Sequence, residues 1–300
     1  MNLNLTKTSI LNKINHFSTI ANNKFIVSDL DKLAERYKAI FLNANPFPHI
    51  ICDGIFNEDY LNLVLSEFPD LEIIKSAKFN NQKEKKFASN GELGMGERTK
   101  QLIHYLNSEP FLIFLNKLTG INDLLMSDPY LLGGGLHEIK RGGLLSIHAD
   151  VNKHAPTGLH RRLNLILYLN KSWKEEYLGS LELWNKNMTK CEARILPIFN
   201  RLVIFNTDSD NFHGHPDPLM CPEGCSRKSL ALYYYSKENP NKDHTMHDTI
   251  FRERPGEALN FPKQNMPVII FLKKLIIAIM PPILLSLIKR LLNRYKSRKI

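Results

Sequence analysis

His148 and Asp150 stand two residues apart in an otherwise apolar run, and that spacing on a strand sends both side chains to one side of a sheet. An imidazole and a carboxylate placed in this way can share a metal ion if a third ligand arrives from elsewhere. Residues 199–205 read as a strand that runs on into His213, which offers that ligand, while His215, two residues further, competes for the role. Two histidines and one carboxylate leave three coordination positions open, which suits Fe(II) binding a bidentate 2-oxo acid and then O2. Zinc sites usually close all four positions or leave one. A His-x-Asp pair alone is weak support, because most such pairs are surface hydrogen bonds.

Two further groups strengthen the pattern. Arg227 and Ser229, again two apart, can grip a carboxylate with a guanidinium fork and an adjacent hydroxyl, although an arginine paired with an aspartate is the plainer reading. Residues 163–169 put four leucines on one strand face and Asn164, Ile166 and Tyr168 on the other. Two polar groups therefore point where a core would be apolar, unless that strand is half exposed.

The elements that must position these residues fall into helices first and strands later. Residues 28–42 read as a helix with Ser28 as its cap, 48–53 as a short strand, 57–68 as a second helix, and 108–118 as a third stopped by Gly120. Residues 75–96, rich in Lys, Asn and Gly, read as a mobile surface loop or lid. From Tyr130 onward short apolar or alternating runs (144–148, 163–169, 180–184, 201–206 and 228–236) are split by Gly, Pro, Asn and Asp. That spacing predicts an antiparallel sandwich or barrel without long crossover helices.

These residues resemble the 2-oxoglutarate and Fe(II)-dependent oxygenase superfamily, in particular its prolyl-4-hydroxylase-like branch. The resemblance covers about residues 46–240 and rests on 132–150, 162–173, 181–184, 197–205, 213–216 and 227–235, in that order. It implies a mainly β fold with flanking α: a double-stranded β-helix, or jelly roll, with the N-terminal helices packed on it. It implies His148, Asp150 and His213 as metal ligands, with His213 preferred over His215 because Gly214 follows it. It also implies Arg227 on the distal carboxylate of 2-oxoglutarate, Ser229 as its hydroxyl helper and Tyr168 as a further hydrogen bond; Asn164, on the same face, is grouped with these cosubstrate-binding residues. The implied reaction couples decarboxylation of 2-oxoglutarate to succinate with hydroxylation by O2, with ascorbate as an accessory reductant. The implied substrate is a peptide prolyl residue, a small molecule or a glycan. Arg227 lies further beyond His213 than the family usually places it, so residues 221–225 read as an inserted turn, and Leu178-Gly179 stands where relatives often carry two glycines, a change expected to touch a turn and not the chemistry.

Composition bounds the rest. A 300-residue chain with 43% hydrophobic residues can build a sizeable core. The four cysteines, Cys52, Cys191, Cys221 and Cys225, are too scattered for a disulfide framework, and the first 21 residues lack a secretory apolar run, so the expected setting is cytoplasmic. The net charge of +10 comes from the end of the chain, where residues 263–300 hold nine Lys or Arg and no Asp or Glu. The body is nearly neutral, which argues against a nucleic-acid partner.

The expected organisation is a poorly ordered lead-in over 1–25, an oxygenase domain over 26–245 with its β-core at about 130–240, and a basic amphipathic helical tail over 246–300. Lys273, Lys274 and the Pro281-Pro282 pair break that tail into pieces too short to span a bilayer. Two readings stand: peripheral contact with an anionic membrane surface, or packing on the domain or on a second subunit. The oligomeric state is not legible. A rival for the whole chain is a catalytically inactive jelly-roll binding module recruited to membranes by the tail.

Overall fold

The computed structural model describes residues 25–74, 76–239 and 245–257. The lead-in expected before Phe25 and the tail expected beyond Glu257 lie outside the described residues.

Helices come first. Helix α1 (Leu30–Asn43) starts one residue later than its sequence suggested: the Asp29 carboxylate, not Ser28, accepts from the backbone N–H groups of Asp31 and Lys32. Its Leu33, Ala34 and Phe41 are buried. Strand β1 (His49–Asp53) follows, then α2 (Glu58–Ser66), capped by the Asn57 side chain. Helix α3 (Glu97–Leu106) was not anticipated, because only its second half carries the apolar stripe of Leu102, Ile103 and Leu106. Helix α4 (Glu109–Thr119) ends at Gly120, whose φ of 69° is the left-handed conformation expected there.

The region expected to be a loop holds a hairpin instead, β2 (Ala77–Asn80) and β3 (Lys85–Ala88). Its polar, lysine-rich composition is that of an edge ribbon, which carries charge to discourage pairing with other chains. The sequence signal for a solvated edge strand and for a loop is the same.

The remaining strands are β4 (Met126–Ser127), β5 (Gly135–Lys140), β6 (Leu145–Ala149), β7 (His160–Tyr168), β8 (Leu181–Trp184), β9 (Cys191–Ile195), β10 (Arg201–Asn206), β11 (His213–His215), β12 (Ser226–Ser236) and β13 (Ile250–Phe251). They form two antiparallel sheets, the arrangement of a jelly roll. The larger runs β1-β10-β7-β12-β5-β3-β2 with β4 paired to β12, and the smaller runs β13-β6-β11-β8-β9. Residues 250–251, inside the expected tail, pair with β6, and one compact unit extends to Glu257.

Alternation on β7 sends its two faces into different core clusters. Leu163, Leu165 and Leu167 share a core cluster with the helical residues Phe41, Leu61, Leu102 and Leu115. Each fully buried leucine contributes about 1.5–3 kcal/mol. The opposite face of β7 looks into the space between the sheets, where Tyr168 packs with Leu181, Leu183, Val203 and Phe205. Asn164 and Tyr168 are buried as well, so β7 is covered on both faces and is not half exposed.

Candidate active site

Strands β6 and β11 lie side by side with His213 directly opposite His148. Gly214 permits this closeness, since a Cβ there would fall 2.8 Å from the carbonyl oxygens of both Leu145 and Ser146. The result is a cluster of His148, Asp150 and His213 whose ligand atoms all lie within 4.8 Å of one another. His213 Nε2 is 3.3 Å from Asp150 Oδ2, and His148 Nε2 is 3.7 Å from Asp150 Oδ1.

Hydrogen bonds fix how these groups present themselves. His148 Nδ1 donates to the Ser146 carbonyl at 2.9 Å and His213 Nδ1 to the Asn211 carbonyl at 3.1 Å. A carbonyl can only accept, so the proton sits on Nδ1 and each Nε2 lone pair faces the cluster, the tautomer a metal ligand needs. Burial and the neighbouring His213 hold the His148 pKa below the ordinary histidine value against the pull of Asp150, which keeps the ring neutral and able to ligate. Burial would raise the Asp150 pKa, but Arg161 and His213 outweigh it and keep the carboxylate ionised. The donor set and its protonation states fit a divalent metal.

Asn164 lies against this centre. Its Nδ2 donates to Asp150 Oδ2 at 2.8 Å, while its Oδ1 accepts from Arg161 Nε at 2.9 Å and Nη2 at 2.6 Å. Sequence reasoning grouped Asn164 with the cosubstrate-binding residues, whereas the structure engages its amide with the metal-binding carboxylate. Arg161 was missed altogether. It is 3.2 Å from Asp150 Oδ2, and its guanidinium lies 3.4 Å from the centre of the Tyr233 ring. Strict alternation would put residues 161 and 164 on opposite faces, but a register shift against Tyr234 and Tyr235 brings Arg161 round, and a bulge of this kind leaves no mark in the residue types.

Arg227 lines the same inner cavity, of about 70 Å³, as the three clustered groups, with Ser229 and Asn164. It is buried at 4% exposure, and among the described residues it makes no ion pair. Its Nε donates to the Gly179 carbonyl at 2.9 Å and its Nη2 to the Tyr168 hydroxyl at 3.2 Å. Burial lowers the Arg227 pKa and raises that of Tyr168, each partly offset by the other. Ser229 sits in register between Tyr168 on one neighbouring strand and His137 on the other. A guanidinium buried without an acid fits a carboxylate brought by a ligand. The Leu178-Gly179 turn thus bears on the site after all: Gly179 supplies the carbonyl that orients Arg227, and a Cβ on it would meet Leu219 Cδ2 at 2.4 Å and Arg227 Cδ at 3.2 Å.

Outside the inner cavity a cleft of about 440 Å³ reaches His148 and Asp150. Phe79, Lys86, Tyr130, Leu132, Tyr233 and Tyr235 contribute to its walls. The hairpin in the stretch expected to be a mobile surface loop or lid forms one wall and is tied down by hydrogen bonds from Lys85 N to the Leu144 carbonyl and from Ser146 N to the Lys83 carbonyl.

A family model described as the 2OG-Fe(II) oxygenase superfamily matches residues 134–235, the stretch that holds all of these strand-borne groups. Residues 134–235 thus carry a 2OG-Fe(II) oxygenase domain. The chain is an enzyme of that class by its intact metal triad, and the family together with the triad implies Fe(II) and 2-oxoglutarate. A search of curated proteins finds no match. Among solved structures, a prolyl hydroxylase from Trichoplax adhaerens, in complex with a hypoxia inducible factor peptide fragment, is 21% identical with a TM-score of 0.50 over 69% of this chain and 90% of that one. A prolyl-4-hydroxylase from Pseudomonas putida is 14% identical with a TM-score of 0.46, covering 68% and 100%. A prolyl 4-hydroxylase from Phytophthora capsici is 18% identical with a TM-score of 0.47, covering 74% and 69%. Likeness at the first of these levels shows the fold. No helix among the described residues of this oxygenase is long and apolar enough to cross a membrane.

Proposed function

We propose that this chain is a 2-oxoglutarate-dependent hydroxylase, with His148, Asp150 and His213 holding Fe(II) and Arg227, Ser229 and Tyr168 holding the distal carboxylate of 2-oxoglutarate. The observation that carries this reading is Arg227, a buried guanidinium without an acidic partner among the described residues, in the same cavity as a protein-oriented metal triad. A bound Fe(II) would supply the oxidative chemistry that couples loss of CO2 from 2-oxoglutarate to insertion of one oxygen atom into a C–H bond.

The protein's own part is positioning. Ser146 and Asn211 hold the two imidazoles in the ligating tautomer. Asn164 and Arg161 occupy Asp150 Oδ2 from the side of β7 and so set the plane of the carboxylate. Gly179 and Tyr168 orient Arg227. The jelly-roll walls shield the reacting groups from bulk water, and the aromatic-lined cleft gives the substrate its approach to the triad. A peptide prolyl residue, a small molecule or a glycan unit could use such a cleft.

The test is turnover. Protein supplied with Fe(II), ascorbate and 2-oxoglutarate is expected to form succinate, faster when a mixture of peptides and metabolites contains the substrate, with one product heavier by one oxygen atom. Protein that binds no metal and forms no succinate across a wide panel would favour the binding-module reading.

A further inference from the structure

One buried side chain that lines the inner cavity has no hydrogen-bond partner elsewhere among the described residues. His215 is 3% exposed and lines that cavity with Arg227, Ser229 and His137. Neither its Nδ1 nor its Nε2 has a hydrogen-bond partner elsewhere among the described residues. A neutral imidazole carries one N–H donor and one lone pair, and burying both unbonded forfeits the hydration of each. The other cavity histidines are anchored: His148 and His213 bond backbone carbonyls through Nδ1, and His137 Nε2 bonds the Gly133 carbonyl at 3.0 Å.

The metal cluster does not absorb His215. The ligand atoms that converge belong to His148, Asp150 and His213. A bulge after His213 sets His215 opposite Leu145, three residues before His148 on the neighbouring strand, and so displaced from the triad. Its two nitrogens are left for whatever occupies the cavity.

We propose that His215 is a direct hydrogen-bonding contact for 2-oxoglutarate, a further anchor besides Arg227, Ser229 and Tyr168. This rests on the reading that the cavity is the 2-oxoglutarate site. A directional contact from His215, added to the charge of Arg227, narrows the orientations the bound diacid can take and favours it over shorter oxo acids.

Calorimetry on the full chain loaded with Mn(II) tests it, with 2-oxoglutarate as titrant. His215→Leu is expected to weaken 2-oxoglutarate binding by about tenfold or more, with Mn(II) affinity within about twofold of wild type, and His215→Gln to recover most of the loss. Wild-type affinity in His215→Leu overturns the proposal, as does loss of Mn(II) binding in His215→Gln, which would make the residue a metal ligand. A crystal structure of the wild-type Mn(II) and 2-oxoglutarate complex decides the matter without a variant. A ring nitrogen of His215 within about 3.2 Å of a ligand oxygen supports it, and both nitrogens beyond about 4 Å from every ligand oxygen overturns it. A wild-type Mn(II) protein that binds no 2-oxoglutarate sinks the reading of the cavity and this inference together, whereas binding that ignores His215 sinks the inference alone.

Discussion

The two ends of the inner cavity solve opposite problems. At the metal end every charged or ligating group already has a protein partner: the imidazoles hold backbone carbonyls, and Asp150 is held by Asn164 and Arg161. At the other end Arg227 is buried with a carbonyl and a phenol but no acid, and His215 with no partner elsewhere in the described chain. Buried polar groups that the protein satisfies are being oriented, and buried polar groups that it leaves unsatisfied are waiting for a ligand. The metal end should therefore lose precision when a partner is removed, and the arginine end should lose affinity.

The largest effect expected is at the arginine end. Arg227→Leu should weaken 2-oxoglutarate binding by about a hundredfold or more, because a charge-assisted contact to a buried carboxylate is lost, while Mn(II) affinity stays near wild type. Equal losses of both affinities would show that the two ends are not separable. A smaller effect is expected at the metal end. Asn164→Ala removes one donor from Asp150 Oδ2 but leaves Arg161, so Mn(II) affinity should fall by about tenfold, with the 2-oxoglutarate affinity of the metal-saturated protein little changed. A variant that loses 2-oxoglutarate and keeps its metal would return Asn164 to the cosubstrate-binding residues.

The smallest effect concerns pH. The folded His148 pKa lies below its value of about 6.5 in an unfolded chain, so as pH falls through that value the unfolded state takes up a proton that the folded state refuses. The metal-free protein should melt a few degrees lower at about pH 5.5 than at about pH 7.5, and His148→Gln should flatten part of that slope. Asp150 works in the other window: its depressed pKa favours the folded state above about pH 4 and loses that contribution only as pH falls further. A steeper slope in the variant would mean that His148 gains a proton on folding.

Much of the site was legible because strands alternate. His148 with Asp150, and Arg227 with Ser229, follow from a spacing of two, and the leucines of β7 marked its core face unambiguously. What alternation could not reveal is what breaks it. The bulge that turns Arg161 toward Asp150, and the one that sets His215 apart from the triad, depend on register between strands distant in sequence. The hairpin at residues 77–88 was hidden for a different reason, since an edge strand blunted by lysines has the composition of a loop. Gly179 was read as a turn residue and nothing more, because the contact that matters, its carbonyl on Arg227, belongs to backbone and not to side-chain type.

The central claim is that one ion is held by three side chains of this chain with positions left over for a ligand. A crystal soaked in Mn(II) tests it most directly through the anomalous signal of the metal. The account predicts a single strong peak in contact with His148 Nε2, a carboxylate oxygen of Asp150 and His213 Nε2, with no fourth protein ligand. A peak that instead engages His215, or one away from residues 148, 150 and 213, would contradict it.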